Sequence, residues 1–481
     1  MPVDTIIDRL QRHARERPDA PAFVSPGREV SYRELHALVG GCATWLRTQG
    51  VEAGERVGVS IADDLAHLVV MLGLASLAAA HATLATYEPA PLRSRLAARI
   101  GVRRVVASDD ALALGGLGFV PLDPRRMASW RTQAPAPLAC PDPAALFTFF
   151  TTSGTTGEAK IIPILHGRYT QQAPRGPQGS GLSLSPLEHH FVKRLVLYSL
   201  LGGHVALIRR DADTPLASMC EAYGVQNVMC MTAQVGEVIA EAERFGKLPP
   251  STAVLLAGAR CPAALRRQLL ERACHKVAVT YSMQECGSIA RVVEQNADTV
   301  SDANGTPHAG VELEIVDAHG RPVSCGETGE IRVRVPGMAS EYVDDERATA
   351  AHFRDGWFQP GDLVSLMPDG ALMVHGRADD VMNMNGLKVA PAQIERALER
   401  HPAVRTAVAF PLLSAIHGQV PVAAVELVPG AAIDARELQR YAREQLGRAA
   451  PRRVIIVASM PSTPQGKVDM KRLAAGFEAG A

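Results

Sequence analysis

The 481-residue chain has no excess charge of either sign: Lys plus Arg and Asp plus Glu number 50 each. A strongly basic face for nucleic acid or an anionic membrane is therefore not expected. Aromatic residues make up only 5% of the chain, too few for an obvious base-stacking platform. Cysteine is scarce and scattered. Cys42, Cys140, Cys220, Cys230, Cys261, Cys274, Cys286 and Cys325 form no CxxC or CxxxxC pair and no Cys/His cluster, which argues against a zinc site or a disulfide framework. They read as small buried hydrophobes in a reducing compartment, the cytoplasm. The longest apolar stretch, residues 65–84, is rich in Ala and contains His67 and His81. It reads as a buried helix followed by a strand and not as a membrane span. The first residues lead into a charged segment without an apolar core, so a signal peptide is not expected.

The length calls for two or more domains. Hydrophobic content of 47% and charged content of 21% are those of a globular protein. Residues 5–16 have helical spacing stopped by Arg17-Pro18-Asp19, and Ser31 with Glu34 three residues on marks the start of another helix. Apolar segments at 56–61, 102–107, 205–208, 227–231, 254–257 and 276–281 read as buried strands alternating with helices. That pattern implies an α/β architecture. After about Gly305 the texture changes to alternating apolar and polar residues, with Asp369-Gly370 as a hairpin signal, which predicts an antiparallel β unit. A small α+β unit of roughly 100 residues follows from Asp379. Residues 172–184, rich in Gly, Pro, Ser and Gln, read as a mobile surface loop.

The residues that carry chemistry begin at Thr151-Thr152-Ser153-Gly154-Thr155-Thr156-Gly157-Glu158-Ala159-Lys160, directly after an apolar strand. Glycines let backbone N–H groups approach a phosphate, hydroxyls add donors, and Lys160 adds a mobile charge. The Walker pattern needs G-x-x-x-x-G-K-[ST], and here Gly154 and Gly157 are three apart with Lys160 three beyond. In isolation the stretch reads equally as a phosphate clamp or as a Thr/Ser/Gly linker.

Read with five further stretches, the chain resembles the acyl-adenylate-forming superfamily of acyl-CoA synthetases, luciferases and nonribosomal peptide synthetase adenylation domains. The stretches are Tyr281-Ser282-Met283-Gln284-Glu285, Asp355-Gly356-Trp357-Phe358-Gln359-Pro360-Gly361-Asp362, Gly376-Arg377-Ala378-Asp379-Asp380, Asn385-Gly386-Leu387-Lys388-Val389-Ala390-Pro391, and Pro461-Ser462-Thr463-Pro464-Gln465-Gly466-Lys467. Their order and spacing fit from end to end. The resemblance implies a large N-terminal AMP-binding domain of α/β sheets plus a β unit, residues 1–378, and a small mobile α+β domain, residues 379–481, hinged at Asp379. It also implies ATP and Mg²⁺, a small carboxylic acid as substrate, and the thiol of CoA or of a carrier-protein phosphopantetheine as acceptor.

The same resemblance assigns roles. Thr152, Ser153, Gly154, Thr155, Thr156, Gly157 and Lys160 would hold the β- and γ-phosphates. Glu285 would hold Mg²⁺, and Gln284 would contact the α-phosphate. Tyr281 would pack on adenine near Gly258, Asp362 would accept from the ribose hydroxyls, and Arg377 would reach ribose or phosphate. Lys467 would bridge the substrate carboxylate and the α-phosphate, and Lys388 would contact phosphate. Taken singly, Glu285 reads as a solvated loop carboxylate, Asp362 as a turn residue, Arg377 as a surface Arg, Tyr281 as a buried strand-end ring and Lys467 as a solvated side chain.

Several positions depart from the family pattern. Gln284 stands where Thr is usual, and Gly258-Ala259-Arg260 replaces Gly-Gly-Glu. Phe191-Val192 carries no carboxylate where α-amino-acid-activating domains have Phe-Asp, which argues against an α-amino acid substrate. His189 and His190 read as core or helix-start residues, with a role in placing the substrate carboxylate as the alternative, and Arg194 and Arg260 as surface residues, with binding of a second substrate carboxylate as the alternative. An acid–CoA ligase, transfer to a carrier protein, and a non-catalytic nucleotide-binding relative all stay open on the residues alone.

Overall fold

The computed structural model describes residues 3–131, 137–152, 159–209, 214–256, 261–384, 387–414, 418–463 and 468–479. Its first helices start where side chains satisfy the free N–H groups. Thr5 Oγ1 accepts from the Asp8 N–H at 3.3 Å while Asp8 accepts from the Thr5 N–H at 2.8 Å, opening helix Ile6–Glu16. Ser31 and Glu34 close the same reciprocal box at the start of Tyr32–Thr48.

Two sheets dominate the N-terminal part. One has nine strands in the order Thr306–Pro307, Gly287–Glu294, Val277–Met283, Ala253–Leu256, Asn227–Cys230, Gly181–Ser183, Ala206–Ile208, Pro21–Ser25, Arg28–Ser31. Its middle strands run parallel and its edges are antiparallel. The other has six, in the order Gly118–Pro121, Arg104–Ala107, Arg56–Ser60, Ala80–Thr83, Leu146–Thr152, Lys160–Leu165, with only the last pair antiparallel. Helix Asp64–Ser76 contacts strands of both sheets, and every one of its 13 residues is buried. An apolar helix without a polar face belongs in such a place. This arrangement explains the long apolar stretch at 65–84, and among the described residues no helix is long and apolar enough to cross a membrane.

The antiparallel β unit consists of six strands, among them Gly329–Arg334, Asp362–Leu366 and Leu372–Arg377. The C-terminal part has its own five-stranded sheet, in which Val404–Ser414 and Gly418–Leu427 pair closely, and its own apolar core around Ile394, Leu398, Val425 and Leu438. The fold is thus α/β sheets plus a β unit, with a small α+β portion at the C-terminal end.

Two expectations need correction. Residues 172–184 are not a surface loop: Gln172, Arg175 and Ser180 are buried, and Gly181–Ser183 is an interior strand of the nine-stranded sheet. The Gly and Ser content reflects close packing. A Cβ at Gly181 would lie 2.6 Å from Leu195 Cδ1, so only Gly lets the overlying helix seat. Arg175 donates to the carbonyls of Ser288 (3.2 Å), Cys286 (3.2 Å) and Pro336 (2.8 Å), supplying donors to backbone that solvent does not reach. Burial also fails to describe all the thiols, because Cys140 and Cys325 are exposed.

Candidate active site

Four strands deliver their C-terminal ends to one cavity of about 1180 Å³, the usual place for a ligand in a parallel sheet. Ala80–Thr83 contributes Thr83, Leu146–Thr152 contributes Thr151 and Thr152, and Asn227–Cys230 contributes Met229 and leads on to Met231. Val277–Met283 contributes Thr280, Ser282 and Met283 and leads on to Gln284 and Glu285. Asp362 and Arg377 from the β unit line the same cavity, as do Thr463 and Val468, which flank Lys467.

At one end, Thr152 and Lys160 are paired across adjacent strands, which pins both ends of the Gly/Thr stretch to the cavity wall. Ser153, Gly154, Thr155, Thr156 and Gly157 lie outside the described residues, as do Gly258, Arg260 and Lys467. Lys160 Nζ donates to His352 Nε2 at 2.6 Å and lies 5.2 Å from the Tyr342 ring centre. His352 Nδ1 meets the Gln359 carbonyl at 2.7 Å, so Nδ1 carries the proton and Nε2 is the acceptor Lys160 needs. Burial lowers the Lys160 pKa from its ordinary value, and the nearby Glu285 charge opposes that shift.

Glu285 is buried, and its Oε1 accepts from the Tyr342 hydroxyl at 2.8 Å. Its second oxygen has no hydrogen-bond partner among the described residues. No cluster of three His, Cys, Asp or Glu able to hold a metal occurs among them either. One oriented carboxylate without a protein cage suits Mg²⁺, which takes few protein ligands and shares the rest with phosphate and water.

Gln284 is clamped by Arg194, whose Nε lies 3.2 Å from Gln284 Oε1 and whose Nη2 lies 2.7 Å from the Gln284 carbonyl. Arginine only donates, so the amide oxygen must face it, which leaves the Gln284 NH₂ as a donor in a residue that lines the cavity. Arg194 also takes the Tyr198 hydroxyl at 3.0 Å and sits 4.7 Å from the Phe150 ring centre. It is therefore a cavity residue and not the surface residue expected, because the helix His190–Leu201 turns this face inward.

At the other end, Asp362 Oδ2 accepts from the Tyr281 hydroxyl at 2.7 Å, and Oδ1 lies 3.4 Å from Arg377 Nη1. Arg377 also donates to the Pro360 carbonyl at 2.7 Å, with exposed Asp379 3.6 Å away. Gly361 turns the chain with φ +83°, and a Cβ there would sit 3.4 Å from Arg377 Nη2. The Tyr281 ring packs against the β-unit core and is not among the cavity-lining residues; what it brings to the cavity is its hold on Asp362. Lys388, on strand Leu387–Val389, is exposed and does not line the cavity.

Sequence reasoning missed the polar network beneath the site. Lys193 is fully buried and donates to Thr83 Oγ1. Thr83 lies 3.3 Å from Nε2 of both His67 and His81. His67 Nδ1 meets the Ile61 carbonyl at 3.0 Å, so its Nε2 accepts from His81 Nε2 at 3.0 Å, and His81 Nδ1 accepts from Thr148 at 3.0 Å. Burial and then the Lys193 charge push the His67 pKa down to about 3 and His81 well below its ordinary value, so both rings are neutral. Burial also pushes Lys193 down from 10.5 to about 7, with Glu188 opposing. Between those values the unfolded chain binds the extra proton, so this group makes stability rise with pH across that window, and its penalty is complete below it. Lys193→Met is expected to raise the urea midpoint at pH 6, with the gain vanishing by about pH 10.5. Unfolding curves at both pH values check this; an unchanged or lower midpoint at pH 6 would count against a charged Lys193 in the core. Its signal in the sequence is a Lys inside an otherwise apolar helical face.

The sequence pattern of the family described as AMP-binding enzyme matches residues 10–343, and that of the AMP-binding enzyme C-terminal domain matches residues 393–467. Enterobactin synthase component E of Escherichia coli (strain K12) is 28% identical over 511 residues, covering 97% of this chain and 93% of that protein. Feruloyl-CoA synthase of an Amycolatopsis species is 28% identical over 476 residues, covering 95% and 96%. The o-succinylbenzoate CoA synthetase of Bacillus subtilis, solved with an acyl-adenylate intermediate, superposes with a TM-score of 0.82 at 22% identity, covering 97% of each chain, a likeness of fold. With its N-terminal and C-terminal parts both matched, this chain belongs to the AMP-binding enzyme family and is an adenylate-forming ligase.

Proposed function

We propose that this enzyme activates a carboxylic acid as its acyl-AMP, releasing pyrophosphate, and then passes the acyl group to the thiol of CoA. The observation that carries the reading is the shared cavity. It is lined by the strand ends around the phosphate loop, by Gln284 and Glu285, by the Asp362–Arg377 pair, and by the residues flanking Lys467. In the first step a carboxylate oxygen bonds to the α-phosphorus as its bond to the bridging oxygen of pyrophosphate breaks. In the second, the thiol sulfur gives up its proton to solvent and bonds to the acyl carbon as the bond from that carbon to the AMP oxygen breaks and AMP leaves.

Two anions must meet, so catalysis rests on positioned donors and charge. Thr152, Lys160 and the loop between them would hold the departing phosphates. Gln284, oriented by Arg194, would donate to the α-phosphate, and Asp362 would fix the ribose. Glu285 would hold Mg²⁺, which when bound neutralises charge across the phosphates. Lys467 would join carboxylate and phosphate. Residues 1–378 and 379–481 would act as two bodies turning at Asp379, a motion that would have to release Arg396 from His375, 3.3 Å away. CoA as acceptor is supported by relatives such as feruloyl-CoA synthase and the 2-succinylbenzoate–CoA ligase of Geobacillus kaustophilus, which is 28% identical over 98% of this chain. The apolar wall of Phe191, Leu195, Met229 and Leu255 suits the ring of such acids.

Pyrophosphate exchange driven by a panel of acids tests the first step, and product mass with CoA or with holo-carrier protein tests the second. No exchange with any acid, alongside intact nucleotide binding, would overturn the reading. A thioester formed on carrier protein but not on CoA would replace the acceptor. Glu285→Gln keeps the acceptor for Tyr342 but removes the charge. It is expected to raise the Mg²⁺ concentration for half-maximal exchange by roughly 10–100-fold, read from a metal titration; an unaltered titration would remove Glu285 from that role.

A further inference from the structure

Seven arginines line the cavity; five of them hold carbonyls, hydroxyls or a carboxylate, and Arg95 is exposed. Arg175 holds three backbone carbonyls, and Arg194 holds Gln284 and Tyr198. The remaining one, Arg291, makes no side-chain hydrogen bond and no ion pair among the described residues, and its Nε is buried without a partner. It stands on Gly287–Glu294 directly across from Thr280 and is half-buried. Desolvation is the one cause acting on its pKa, which it lowers, so no carboxylate of the described residues compensates its charge. An Arg stays protonated all the same. Neighbouring His308, held by Ser288 at 2.8 Å, is kept from adding or balancing charge: burial, then Arg291 and Arg175, push its pKa down. A desolvated guanidinium without a counter-charge is costly, and an anion delivered by a ligand would offset that cost.

Its position relative to the reacting centre suggests which ligand. Thr280 and Gln284 both line the cavity: Thr280 lies on strand Val277–Met283, and Gln284 opens the turn that follows it. The same cavity has an apolar wall, formed by Leu195, Met229 and Leu255, which pack together. An acid whose reacting carboxyl lies by Gln284 and whose body follows this wall has its far end at Arg291.

We propose that Arg291 is a specificity-determining residue and that the acid activated here carries a second anionic group, a carboxylate or its equivalent, at the end away from the reacting carboxyl. A guanidinium fork matches a carboxylate in geometry and charge. This assignment rests on the adenylation reading above.

The test is pyrophosphate exchange with matched acid pairs: terephthalate against 4-methylbenzoate, and α,ω-diacids against monoacids of the same chain length. The diacid is expected to be favoured in kcat/KM in at least one pair by about tenfold or more. Arg291→Met is expected to raise KM for that diacid by about tenfold or more, with kcat and the KM for ATP changing less than about threefold and the monoacid unaffected or improved. Arg291→Lys should recover part of the loss. The unchanged KM for ATP shows that the variant is folded. If exchange favours the monoacid in every pair, or if Arg291→Met weakens both members of a pair equally, the assignment falls while adenylation stands. If no acid supports exchange, the adenylation reading falls and this one with it.

Discussion

Asp362→Asn is expected to lower kcat/KM for ATP by on the order of 10²–10³-fold. The carboxylate has two oriented oxygens, one receiving the Tyr281 hydroxyl and the other facing Arg377. Both neighbours donate in this arrangement, so an amide placed there turns one acceptor into a donor aimed at a donor. The side chain then either rotates or loses a partner, and a ribose held there, as proposed, would keep neither charge-assisted acceptor at full strength. Because the ribose is bound before and during the reaction, most of the loss should fall on the KM for ATP. Tyr281→Phe separates orientation from charge. It removes only the 2.7 Å bond and leaves the carboxylate, so its loss should be several-fold smaller than that of Asp362→Asn. Initial-rate exchange measured against ATP concentration reads both. A KM for ATP unchanged in Asp362→Asn would mean that this carboxylate serves the β unit and not the nucleotide.

What was legible in the sequence follows from how local each signal is. Caps, strand alternation and the Asp369-Gly370 hairpin depend on residues a few positions apart, and they appear where expected. Thr152, Lys160, Gln284, Glu285, Asp362 and Arg377 sit at ends of strands whose sequence context is recognisable, and the fold brings them to one cavity. Pairings across long separations were not legible. Lys193 meets Thr83 across 110 residues, His81 meets Thr148 across 67, and Glu285 meets Tyr342 across 57. Composition misled at 172–184, where Gly and Ser mark tight packing under a helix and not exposure. It misled at Arg194 as well, because a helix built mostly for burial carries this polar side chain into the cavity, beside Phe150 and Gln284. Tyr281 shows the same limit from the other side: its position was legible, but its hydroxyl partner comes from a strand 81 residues on.

Lys467→Ala is expected to lower the rate of acyl-AMP formation by on the order of 10²–10³-fold, about the loss seen when one preorganised donor is removed from a developing charge. Ser462 and Val468 are bridged, and Thr463 and Val468 line the cavity shared with Lys160 and Asp362. Described residues on both sides of Lys467 therefore line the cavity. In the proposed first step, negative charge concentrates between the attacking carboxylate and the α-phosphate. A flexible ammonium that reaches both lowers that barrier most when the charge is greatest, so its loss should appear in kcat. Nucleotide affinity should change by less than about threefold, because Thr152, Asp362 and Arg377 remain. Lys467→Arg should restore little, since a planar fork does not replace a compact charge placed between two oxygens. Thioester formation from supplied acyl-adenylate and CoA should proceed near the parent rate, because that step no longer joins two anions. Single-turnover acyl-AMP formation, nucleotide titration and the thiol half-reaction together separate these effects. Adenylation at the parent rate in Lys467→Ala would remove this residue from the first step and move the charge-bridging role to another cation of the cavity.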